Sequence, residues 1–582
     1  MASGMLGTAI TGLQAFQRSL ETTSHNISNV NTEGYSRQRV DLVTKKEQMI
    51  GVGYLGTGVS INNISRSYDQ FLTTQLRSST SAFGDVDKYR ELSIQVDDLL
   101  ADPAVGIAPE IKKFFNSVNE VTDDPSSIAA RQVMLSQGGI LTSHFKTMNS
   151  RFEEMRSLVN DDLTVMTKEI TSFAATIAEL NQKIANAQGQ ASGDQQPNDL
   201  LDQRDTVLNQ LAELIDVSVV PSNSNMVSVF IGKGQALVLD VNASKISTKP
   251  SDLDPSKLDI VLESPSGMAE VISNSLSGGA ISGALRFRNE ILDPAQQQLG
   301  RVAASIAMEV NNIHELGFDL DGNGPNNGTG ATLFFSGMTS VPVTDSPQNS
   351  VTSNLVLAVT FDKTKLENID FSDFKLEKLT SGVPNTYKFT READDTSYTL
   401  NEVGGFLVPS GTDVLPGITI EVASGSAAVG DGFLIRPTYS AASNIGVNLT
   451  DPRQIAIATN AAKDNDGNSY VVLGPMPGDN RNGLLLAGLE NKLGMIGGTA
   501  SFHDSYSLVV SEVGVLTKSA KVGSTAQETL LNNAKSAWGN VSGVNLDEEA
   551  ANLVKFQQSY QAAAQMISVS GTLFDSLLGA VN

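Results

Sequence analysis

Residues 24–40 read SHNISNVNTEGYSRQRV, and this polar stretch directly follows a segment with a repeating apolar pattern. In that segment leucine or isoleucine recurs every seven residues, and further apolar residues occupy the intervening positions. The two rows are Leu6, Leu13, Leu20 and Ile27, with Ala9, Phe16 and Val30 between them. Alternating steps of three and four residues place these side chains along one seam of a helix, as in a coiled coil. The pattern therefore predicts an amphipathic helix that needs a partner.

The polar stretch itself predicts the end of this helix and a turn. Asn26, Asn29 and Asn31 have short side chains that hydrogen-bond to nearby backbone and tolerate left-handed conformations, so they end helices. Gly34 can adopt a positive φ, which makes the segment up to Tyr35 a candidate turn. Periodicity alone also fits a capped helix in the core of an ordinary soluble domain, so the rest of the chain must decide.

Composition limits the possible functions. The chain has 582 residues, enough for about three or four domains. Its formal net charge of −24 argues against nucleic acid or an anionic membrane as the main partner. It contains no cysteine, which excludes disulfides, thiolate metal sites and a cysteine nucleophile. Only four histidines remain for a zinc site or a catalytic triad, namely His25, His144, His314 and His503.

The N-terminal residues do not resemble a cleavable secretory signal. No basic run precedes them, and Gly, Thr and Gln interrupt every apolar stretch. No segment approaches the ~20 apolar residues needed to span a bilayer. We therefore expect no membrane insertion, and a chain that is cytoplasmic or leaves the cell by a route that reads no cleavable signal.

Residues 126–187 predict one very long helix. Twelve apolar residues follow one another at steps of three or four: Phe145, Met148, Phe152, Met155, Val159, Leu163, Met166, Ile170, Phe173, Ile177, Leu180 and Ile184. At the rise of an α-helix, ~60 residues span about 90 Å, so the helix needs other helices alongside it. The candidates are residues 198–214, 294–315 and 503–537, and residues 107–121 are also predicted to be helical. We interpret these stripes as the core of a helical bundle.

The segments between the helices resemble strands. Residues 38–65 alternate as short strands punctuated by glycine, and Gly51, Gly53 and Gly56 match G-x-G-x-x-G. Strand residues rather than a helix follow the last glycine, so a hairpin is favoured over a dinucleotide site. Residues 216–280 and 330–450 contain further short alternating runs, which predict β structure inserted between helical halves.

The C-terminal segment mirrors the N-terminal one. Large apolar residues recur every seven positions, with small residues between them: Leu546, Leu553, Tyr560, Ile567, Phe574 and Val581, and Ala550, Ala564 and Gly571. The acidic run 547–549 would lie in the first turn, where it complements the helix dipole. Both ends of the chain are therefore predicted to be amphipathic helices, with most of the chain between them.

These patterns together predict an α+β multidomain fold with paired N- and C-terminal coiled-coil helices, a long-helix bundle and inserted β-rich outer domains. The terminal helices and adjoining hairpin would comprise residues 1–84 and 538–582. The helical bundle would comprise 85–215, 281–318 and 500–537. A small β-rich segment is expected at 216–280, and a β-rich outer domain with connecting loops at 319–499.

No arrangement of residues predicts catalysis, and we expect no cofactor. Two loops imitate the first half of a calcium-binding loop, but each lacks the closing carboxylate. They contain Asp319, Asp321, Asn323, Gly324 and Gly330 in one, and Asp464, Asp466 and Asn468 in the other. Turns stabilised by Asp and Asn side chains are the favoured interpretation of both loops, so no metal site is predicted.

Both ends of the chain carry signatures of a known family. SHNISNVNTEGYSRQRV at 24–40 resembles the N-terminal signature of bacterial flagellar axial proteins, the rod, hook and hook-associated subunits. VSGVNLDEEAANLVKFQQSYQAAAQMISVSGTLFDSLL at 541–578 resembles their C-terminal signature. Glu33 departs from the pattern, because many members carry proline before the Gly-Tyr pair.

Within this family the interior favours a hook-associated subunit. Rod and hook subunits resemble this chain at the ends but are mostly β inside, whereas residues 145–184 predict a long helix. PNDLLDQRDTVLNQLAELIDVSV at 197–219, GDNRNGLLLAGLE at 478–490 and the 317–335 loop also resemble hook-associated members. The resemblance is weakest at 340–450. A hook or distal rod subunit remains one alternative, and a secreted acidic hydrolase that uses the β domain is another.

The resemblance implies a structural, non-enzymatic subunit of the extracellular flagellum, at the junction between hook and filament. It implies export in an unfolded state by the flagellar type III apparatus, with a dedicated chaperone, and polymerisation through the terminal helices. The implied partners are other copies of the chain, the hook protein and a second hook-associated junction protein. The implied assembly residues are Leu6, Leu13, Leu20, Ile27, Asn29, Asn31, Gly34, Tyr35, Leu546, Leu553, Tyr560, Ile567 and Phe574. Those implied for chaperone binding are Leu553, Tyr560 and Ile567.

Overall fold

The computed structural model describes residues 2–49, 53–102, 106–190, 195–325, 332–338, 340–382, 384–411, 415–459, 461–463, 469–471 and 477–581. The α-helices in these ranges are α1 (Ala2–Ser28), α2 (Gln70–Ala101), α3 (Ala108–Asp123), α4 (Ile128–Gln190), α5 (Asn198–Leu214), α6 (Gly279–Phe287), α7 (Asp293–His314), α8 (Ala441–Asn444), α9 (Arg481–Gly488), α10 (Phe502–Ser542) and α11 (Leu546–Val581). A π-helical segment, Arg288–Leu292, joins α6 to α7. Short 3-10 helices lie at Asn223–Asn225, Ser273–Ser275, Leu366–Asn368, Pro452–Gln454 and Leu489–Asn491.

The strands pair antiparallel throughout the described ranges. They are β1 (Gln38–Thr44), β2 (Gln48–Met49), β3 (Tyr54–Leu55), β4 (Val59–Arg66), β5 (Val217–Pro221), β6 (Val227–Ile231), β7 (Gln235–Leu239), β8 (Asn242–Ala243), β9 (Lys245–Pro250), β10 (Leu258–Glu263), β11 (Ala269–Val271), β12 (Gly317–Phe318), β13 (Phe335–Ser336), β14 (Val343–Asp345), β15 (Val356–Phe361), β16 (Phe374–Thr380), β17 (Thr386–Arg391), β18 (Ser397–Val403), β19 (Phe406–Pro409), β20 (Ile418–Ser424), β21 (Gly432–Ile435), β22 (Gly446–Val447), β23 (Ala458–Thr459), β24 (Ala461–Lys463) and β25 (Ser469–Val471). The fold thus combines long helices with antiparallel sheets, as the sequence predicts.

The long predicted helix is present as α4. It has 63 residues, which corresponds to about 95 Å at the rise of an α-helix. All twelve residues of the predicted stripe face the protein: Met155 and Phe173 are half-buried, and the other ten are buried. The stripe packs into one core with residues of α2, α3, α5, α6, α7 and α10.

Helices α2 and α10 form an antiparallel pair along the bundle. The Tyr506 hydroxyl donates to the Leu100 carbonyl at 3.1 Å, and the Ser524 hydroxyl donates to Asp87 at 3.1 Å. Leu76 packs against Leu531 nearer the terminal region. The predicted domain boundaries at 84/85 and 537/538 need correction, because both fall inside these continuous helices. Past the end of the bundle, α2 and α10 stay together because they pack on each other.

The segment 216–280 forms two small sheets that lie on α4. One has the order β5-β6-β7-β8 and the other β11-β10-β9. The Asn181 amide donates to the carbonyls of Val227 at 2.8 Å and Asp240 at 2.6 Å. The Thr171 hydroxyl donates to the Ile246 carbonyl at 2.9 Å. Polar residues on α4 therefore fix both sheets to the bundle.

The outer β domain is built on one eight-stranded sheet. Its order is β14-β21-β16-β17-β18-β19-β20-β15. Its apolar core, in which Phe374 stacks on Phe389 with ring centroids 4.6 Å apart, also includes Ala304 and Met308 of α7. Gly300 permits this close packing, because a Cβ there would collide with the Thr438 carbonyl oxygen. The outer domain thus sits directly on a bundle helix.

A buried cluster of charges links the bundle, the small sheets and the outer domain. Asp293 of α7 accepts from Arg156 of α4 at 2.7 Å and pairs with Lys257 at 2.7 Å. Arg436 of the outer domain pairs with Asp254 at 3.1 Å and Asp373 at 3.0 Å. Burial raises the pKa of the Asp293 carboxyl, but Lys257 and Arg156 outweigh it and hold that pKa well below its ordinary value. We call these six residues the junction cluster.

The first calcium-like loop is closed by its own side chains. The Asp319 carboxylate accepts from the backbone N–H groups of Asp321 at 2.9 Å and Asn323 at 2.8 Å. Asp321 pairs with Arg453. Gly330, Asp464, Asp466 and Asn468 of the two loops, and Gly51 of the hairpin, lie outside the described residues. The strand β4 follows Gly56, as the hairpin interpretation requires.

Candidate assembly interface at the chain termini

The two ends of the chain meet, since α1 and α11 pack along each other. Small side chains lie at their closest contact. Ala9 of α1 is 1% exposed, whereas Ala563 and Ser570 of α11 are 4% and 2% exposed. Small residues allow two helix axes to approach closely but bury little apolar area. The predicted pairing is present, and small side chains are among its buried residues.

The predicted seam residues of α1 are only partly covered within one chain. Leu6 is 37% exposed, and Leu13, Leu20 and Ile27 are half-buried. They occupy the same side of the helix as Ala9 and Phe16, at heptad spacing, so they border the contact with α11. Their free surface remains available to other molecules.

The corresponding row on α11 differs in part from the prediction. Leu553, Tyr560 and Ile567 are half-buried beside α1, whereas Leu546 and Phe574 are 51% and 56% exposed. The small residues predicted to lie between them are exposed, namely Ala550, Ala564 and Gly571. The row that faces α1 is instead Glu549, Phe556, Ala563 and Ser570. Both rows repeat every seven residues, so sequence periodicity alone does not decide which of them completes the seam within one chain.

Further large apolar residues on both helices are exposed. Those at least 40% exposed include Met5, Ile10, Val554, Met566, Val569 and Leu573. Burying one such side chain fully stabilises a complex by roughly 1.5–3 kcal/mol. An apolar surface of this extent on a soluble protein marks a site for another protein. The terminal pair thus presents apolar surface outward.

The turn after α1 packs against the bundle, and this close packing requires glycine at position 34. Gly34 has φ of +76°, and a Cβ there would collide with the Thr206 hydroxyl of α5. The Asn29 amide donates to the His25 carbonyl at 3.0 Å and so ends the helix. Asn31 is exposed, and none of the described contacts gives it a role in this fold.

Tyr35 and Asn26 tie the turn back to α1. The Tyr35 hydroxyl donates to the Asn26 side-chain oxygen at 2.8 Å, and His25 Nδ1 lies 3.0 Å from the same hydroxyl. Asn26 is 1% exposed, and its amide donates to the Gln38 carbonyl at 2.9 Å. Burial, together with Asp199, Asp202 and Glu549, raises the pKa of the Tyr35 hydroxyl. Tyr35 is therefore a neutral donor in this turn.

A polar contact joins the start of α11 to the N-terminal segment. Glu549 accepts from the Asn26 amide at 3.1 Å and from Arg37 at 2.8 Å. Arg37 also pairs with Glu548 at 2.7 Å, and its backbone N–H donates to the Ser542 carbonyl at 2.8 Å. Glu549 is 2% exposed, so its charge is held by these partners rather than by water. These contacts fix where α1 and α11 meet.

A second network joins the terminal region to the bundle. Asp202 of α5 accepts from the Ser36 backbone N–H at 2.9 Å and from Arg66 of β4 at 2.8 Å. Asp205 of α5 bridges Arg66 at 2.7 Å and Arg77 of α2 at 2.6 Å. Burial raises the pKa of the Asp202 carboxyl, and the bonds from Ser36 and Arg66 only partly offset this. The hairpin β1–β4 is therefore anchored to two bundle helices.

A cavity of about 570 Å³ lies between the turn and the bundle. It is lined by His25, Asn29 and Tyr35 from the terminal side, and by Leu180, Lys183 and Val207 from α4 and α5. The lining holds no pair of groups placed as nucleophile and base. Because the cavity lies beside the exposed turn, the cavity and the turn belong to the same surface.

Sequence reasoning missed the residues that hold this region together: Arg37, Arg66, Arg77, Asp202, Asp205 and Glu549. Each looks like an ordinary surface charge, because its partner is far away in the sequence; Asn26 and Glu549 are 523 positions apart. The one available signal was Glu549, an acidic residue on an otherwise apolar or small heptad row.

The described residues form neither a metal site nor a membrane span. Among them no group of three or more His, Asp or Glu side chains is arranged to hold a metal ion. None of the helices in the described ranges is long and apolar enough to cross a bilayer. His314 is buried, and its Nε2 accepts from the Ala456 backbone N–H at 2.9 Å. Burial lowers the pKa of this imidazole to about 4, which suits a neutral structural residue.

Three family models match the chain. The model described as the flagellar hook-associated protein FlgK helical domain matches residues 93–334. The model of flagella basal body rod proteins matches residues 6–35, and the model of the C-terminal region of the flagellar basal body rod FlgEFG proteins matches residues 540–580. The terminal matches cover α1 with its turn and α11.

Similar proteins extend the match over the full length. Flagellar hook-associated protein 1 of Salmonella typhimurium is 32% identical over 579 residues, which is 99% of each chain. The Escherichia coli protein of the same name is 30% identical over the same shares. The flagellar hook junction protein FlgK of Burkholderia pseudomallei matches the fold with a TM-score of 0.69 at 24% sequence identity, over 81% of this chain and all of that one.

These matches decide which kind of flagellar axial subunit the interior of the chain resembles. A rod or hook subunit shares only the terminal signatures, whereas the helical-domain model and the two relatives extend through the middle of the chain. The bundle and the terminal pair described above are thus parts of one known architecture. The chain belongs to the flagellar hook-associated protein 1 (FlgK) family, structural proteins of the bacterial flagellum.

Proposed function

We propose that the protein joins hook to filament by polymerising through its terminal helices. The observation that carries this proposal is the half-covered α1–α11 pair, whose leucines border the contact between the helices and remain partly exposed. Neighbouring copies, the hook protein and a second hook-associated junction protein would cover this surface. The site is the flagellum outside the cell, and the role is mechanical.

The same observation supports a layered arrangement of domains. The α1–α11 pair would lie nearest the axis, the bundle around α4 and α7 next, and the eight-stranded sheet outermost. Domain limits within the chain follow the corrected helices, so α2 and α10 run from the terminal layer into the bundle without a linker. In this proposal the outer sheet takes no part in polymerisation. Any role of the outer sheet lies in contacts made by its surface.

Export before assembly accounts for the weakness of the terminal pair. A lone helix of ~30 residues with a half-covered seam is marginal in water, so the ends unfold easily before neighbours cover them. A chain that unfolds from its ends suits passage through the narrow flagellar type III apparatus. We infer that the chain leaves the cell by this route.

A dedicated export chaperone is expected to cover α11 before assembly. Leu553, Tyr560 and Ile567 form one stripe that is half-buried beside α1 in the folded chain, so a chaperone and α1 would compete for part of it. Covering the stripe prevents incorrect pairing in the cytoplasm. Two such anchors, at roughly 1.5–3 kcal/mol each, are enough to decide the complex.

Calorimetry with the chaperone tests this interaction. Leu553→Ser combined with Tyr560→Ser should abolish binding. Gln558→Ser combined with Gln565→Ser is the matched control, since both glutamines are exposed on the opposite side of the helix. Unchanged affinity of the first variant would place the chaperone elsewhere.

A deletion strain tests the function itself. Without this gene we expect complete hooks, no filaments and filament protein shed into the medium, as seen by electron microscopy. Reintroduction of the gene should restore filaments and motility. Normal filaments in the deletion strain would refute the junction role.

A further inference from the structure

Another cavity lies where the hairpin, the bundle and one of the small sheets meet. It has a volume of about 260 Å³ and is bounded by the end of β4, the first turns of α2, the helix α5 and the segment from β5 to β6. Its charged lining residues are Arg66, Arg77, Arg204 and Asp205. The volume is many times what one water molecule needs, so the cavity has room for a larger polar group.

Two of the three arginines are balanced by carboxylates. Asp205 accepts from Arg66 at 2.7 Å and from Arg77 at 2.6 Å, and Asp202 also accepts from Arg66 at 2.8 Å. Burial lowers the pKa of the Arg66 guanidinium, but these two carboxylates outweigh burial and raise the pKa above its ordinary value. Both aspartates are therefore already engaged.

Arg204 has no carboxylate partner of this kind. Only 6% of the residue is exposed, and it forms no ion pair with another described residue. Its Nη1 donates to the Asn181 side-chain oxygen at 3.0 Å and to the Asn225 carbonyl at 2.7 Å, and both acceptors are neutral. Its Nε–H has no hydrogen-bond partner, and its Nη2 donates to no described residue. One edge of this buried guanidinium is therefore free.

The charges around the cavity do not cancel. Three guanidinium groups, those of Arg66, Arg77 and Arg204, face the two carboxylates of Asp202 and Asp205, which leaves one positive charge. Burial lowers the pKa of the Arg204 guanidinium to about 10; Asp205 offsets part of this effect, and the other two arginines add to it. Arg204 is still charged at neutral pH, and a buried charge is costly unless an opposite charge accompanies it.

The free edge of Arg204 has the geometry of an oxyanion site. Nε and Nη2 lie on the same edge of the planar guanidinium, and their two N–H groups match two oxygens of a carboxylate or a phosphate. The lining also includes Gln70 and Gln196, whose side-chain amides are neutral donors. Asp205, already shared between two arginines, is the one acidic residue of the described lining.

We propose that this cavity binds a small dissolved oxyanion, a phosphate or a carboxylate, on the free edge of Arg204. Arg66 belongs to β4, Arg77 to α2 and Arg204 to α5, so the bound anion connects the hairpin to two bundle helices. The inference goes beyond the proposed junction role and does not depend on it, because none of the seam residues of α1 and α11 lines this cavity.

Isothermal titration calorimetry of the full-length chain with inorganic phosphate tests the site. The buffer is Tris chloride at pH 7.5, and sodium chloride keeps the ionic strength constant. We expect one phosphate bound per chain with a dissociation constant of about 1 mM or lower. The net charge of −24 disfavours phosphate elsewhere on the molecule. Acetate, the carboxylate probe, should compete with phosphate. Absence of saturable phosphate binding, or no competition by acetate, would overturn the proposal.

Removing the unbalanced charge tests the role of Arg204. Arg204→Gln should weaken phosphate binding about tenfold or more, because a hydrogen bond to a charged group is lost. Arg151→Gln is the matched control, since Arg151 is an exposed arginine of α4 that pairs with Glu154 away from the cavity. Equal phosphate affinity of the two variants would overturn the assignment.

A second variant keeps all three arginines, and it decides the question if Arg204→Gln does not fold. Gln70→Glu places a carboxylate in the lining of the cavity, so it should compete with phosphate and weaken its binding about tenfold. Gln75→Glu makes the same change at an exposed position of α2 outside the lining and should bind phosphate normally. Circular dichroism checks that both variants are folded. Unchanged phosphate affinity of Gln70→Glu would overturn the site.

The same chain offers another source of a carboxylate. Asp194, two residues before the lining residue Gln196, lies outside the described residues. Asp194→Asn distinguishes this source from a dissolved anion. Equal phosphate affinity of the unaltered chain and of Asp194→Asn supports the proposal. Phosphate binding by Asp194→Asn alone would show that the chain fills the cavity with its own carboxylate, and would overturn it.

Discussion

The terminal pair and the helical bundle bury their helices to very different extents. In α7 nearly every residue from Asp293 to Asn311 is buried, by helices on one side and the outer sheet on the other. In α11 only Glu549, Ala563 and Ser570 are buried among the described side chains. The bundle can therefore be stable by itself, whereas the ends depend on neighbours. The difference supports the proposed division of the chain, in which the bundle holds its shape and the ends assemble.

The same contrast holds for charges. The junction cluster holds six charged groups between three parts of the fold, five of them buried and Lys257 half-buried, so each of them depends on the others. At the terminal contact, Arg37 is about a quarter exposed and Glu548 is 58% exposed, and water screens that pair. The substitutions below test this contrast, from the largest expected effect to the smallest.

Removing one charge of the junction cluster should have the largest effect on stability. Asp293→Ala leaves Arg156 and Lys257 buried without their shared partner. We expect a loss of about 3–5 kcal/mol in the free energy of unfolding of the bundle. Urea denaturation followed by circular dichroism measures it. Glu548→Ala is the matched control, with an expected loss of about 0–1 kcal/mol. Equal losses would remove the distinction between the two regions.

His314 should make the bundle, and not the ends, sensitive to mild acid. Its folded pKa of about 4 lies below the ordinary 6.5, so the neutral form is favoured in the folded state. The stability this provides is complete above pH 6.5 and is lost as pH falls towards 4. Between pH 7 and pH 5 the loss should be about 2 kcal/mol. His314→Gln should show a flatter stability profile over this range; an unchanged slope would contradict the assignment.

Adding a single methyl group at position 34 should disturb the turn after α1. Gly34→Ala forces a positive φ on alanine and a collision with Thr206, at a cost of about 1–3 kcal/mol. We expect faster hydrogen exchange in the turn and in α1, with the melting temperature of the bundle unchanged. Gly7→Ala is the control, because nothing lies near its Cβ position and alanine favours a helix. Faster exchange throughout α4 would show that the two regions are coupled.

Much of the fold can be predicted from apolar periodicity. The parts that cannot be predicted in this way were missed for physical reasons. The predicted helix 198–214 coincides with α5, and the stripe along α4 is confirmed, because burial selects both patterns directly. No helix was predicted at α2, since the Thr- and Ser-rich sequence of its first half hides the period. The Asp69 side chain caps it by accepting from Leu72 N–H, and packing against α10 supports it. The networks around Asn26 and Asp202 join distant segments, and no local pattern reveals such contacts.

Substitutions in the α1 seam should have the smallest effect on the folded bundle. Leu13→Ser with Leu20→Ser removes apolar surface that one chain leaves half-buried. We expect the melting temperature of the bundle to change by less than about 1 °C, since a local loss outside its core does not enter that transition. A scanning calorimeter detects this, and a fall of several degrees would mean that the ends support the bundle.

The same variant tests most directly whether the ends exist for assembly. It should be found in the culture medium, while electron microscopy shows hooks without filaments. Gln14→Ser with Glu21→Ser changes exposed positions of α1 at the same spacing and should give normal filaments. If cells producing Leu13→Ser with Leu20→Ser carry filaments in wild-type number, the terminal seam is not the assembly interface.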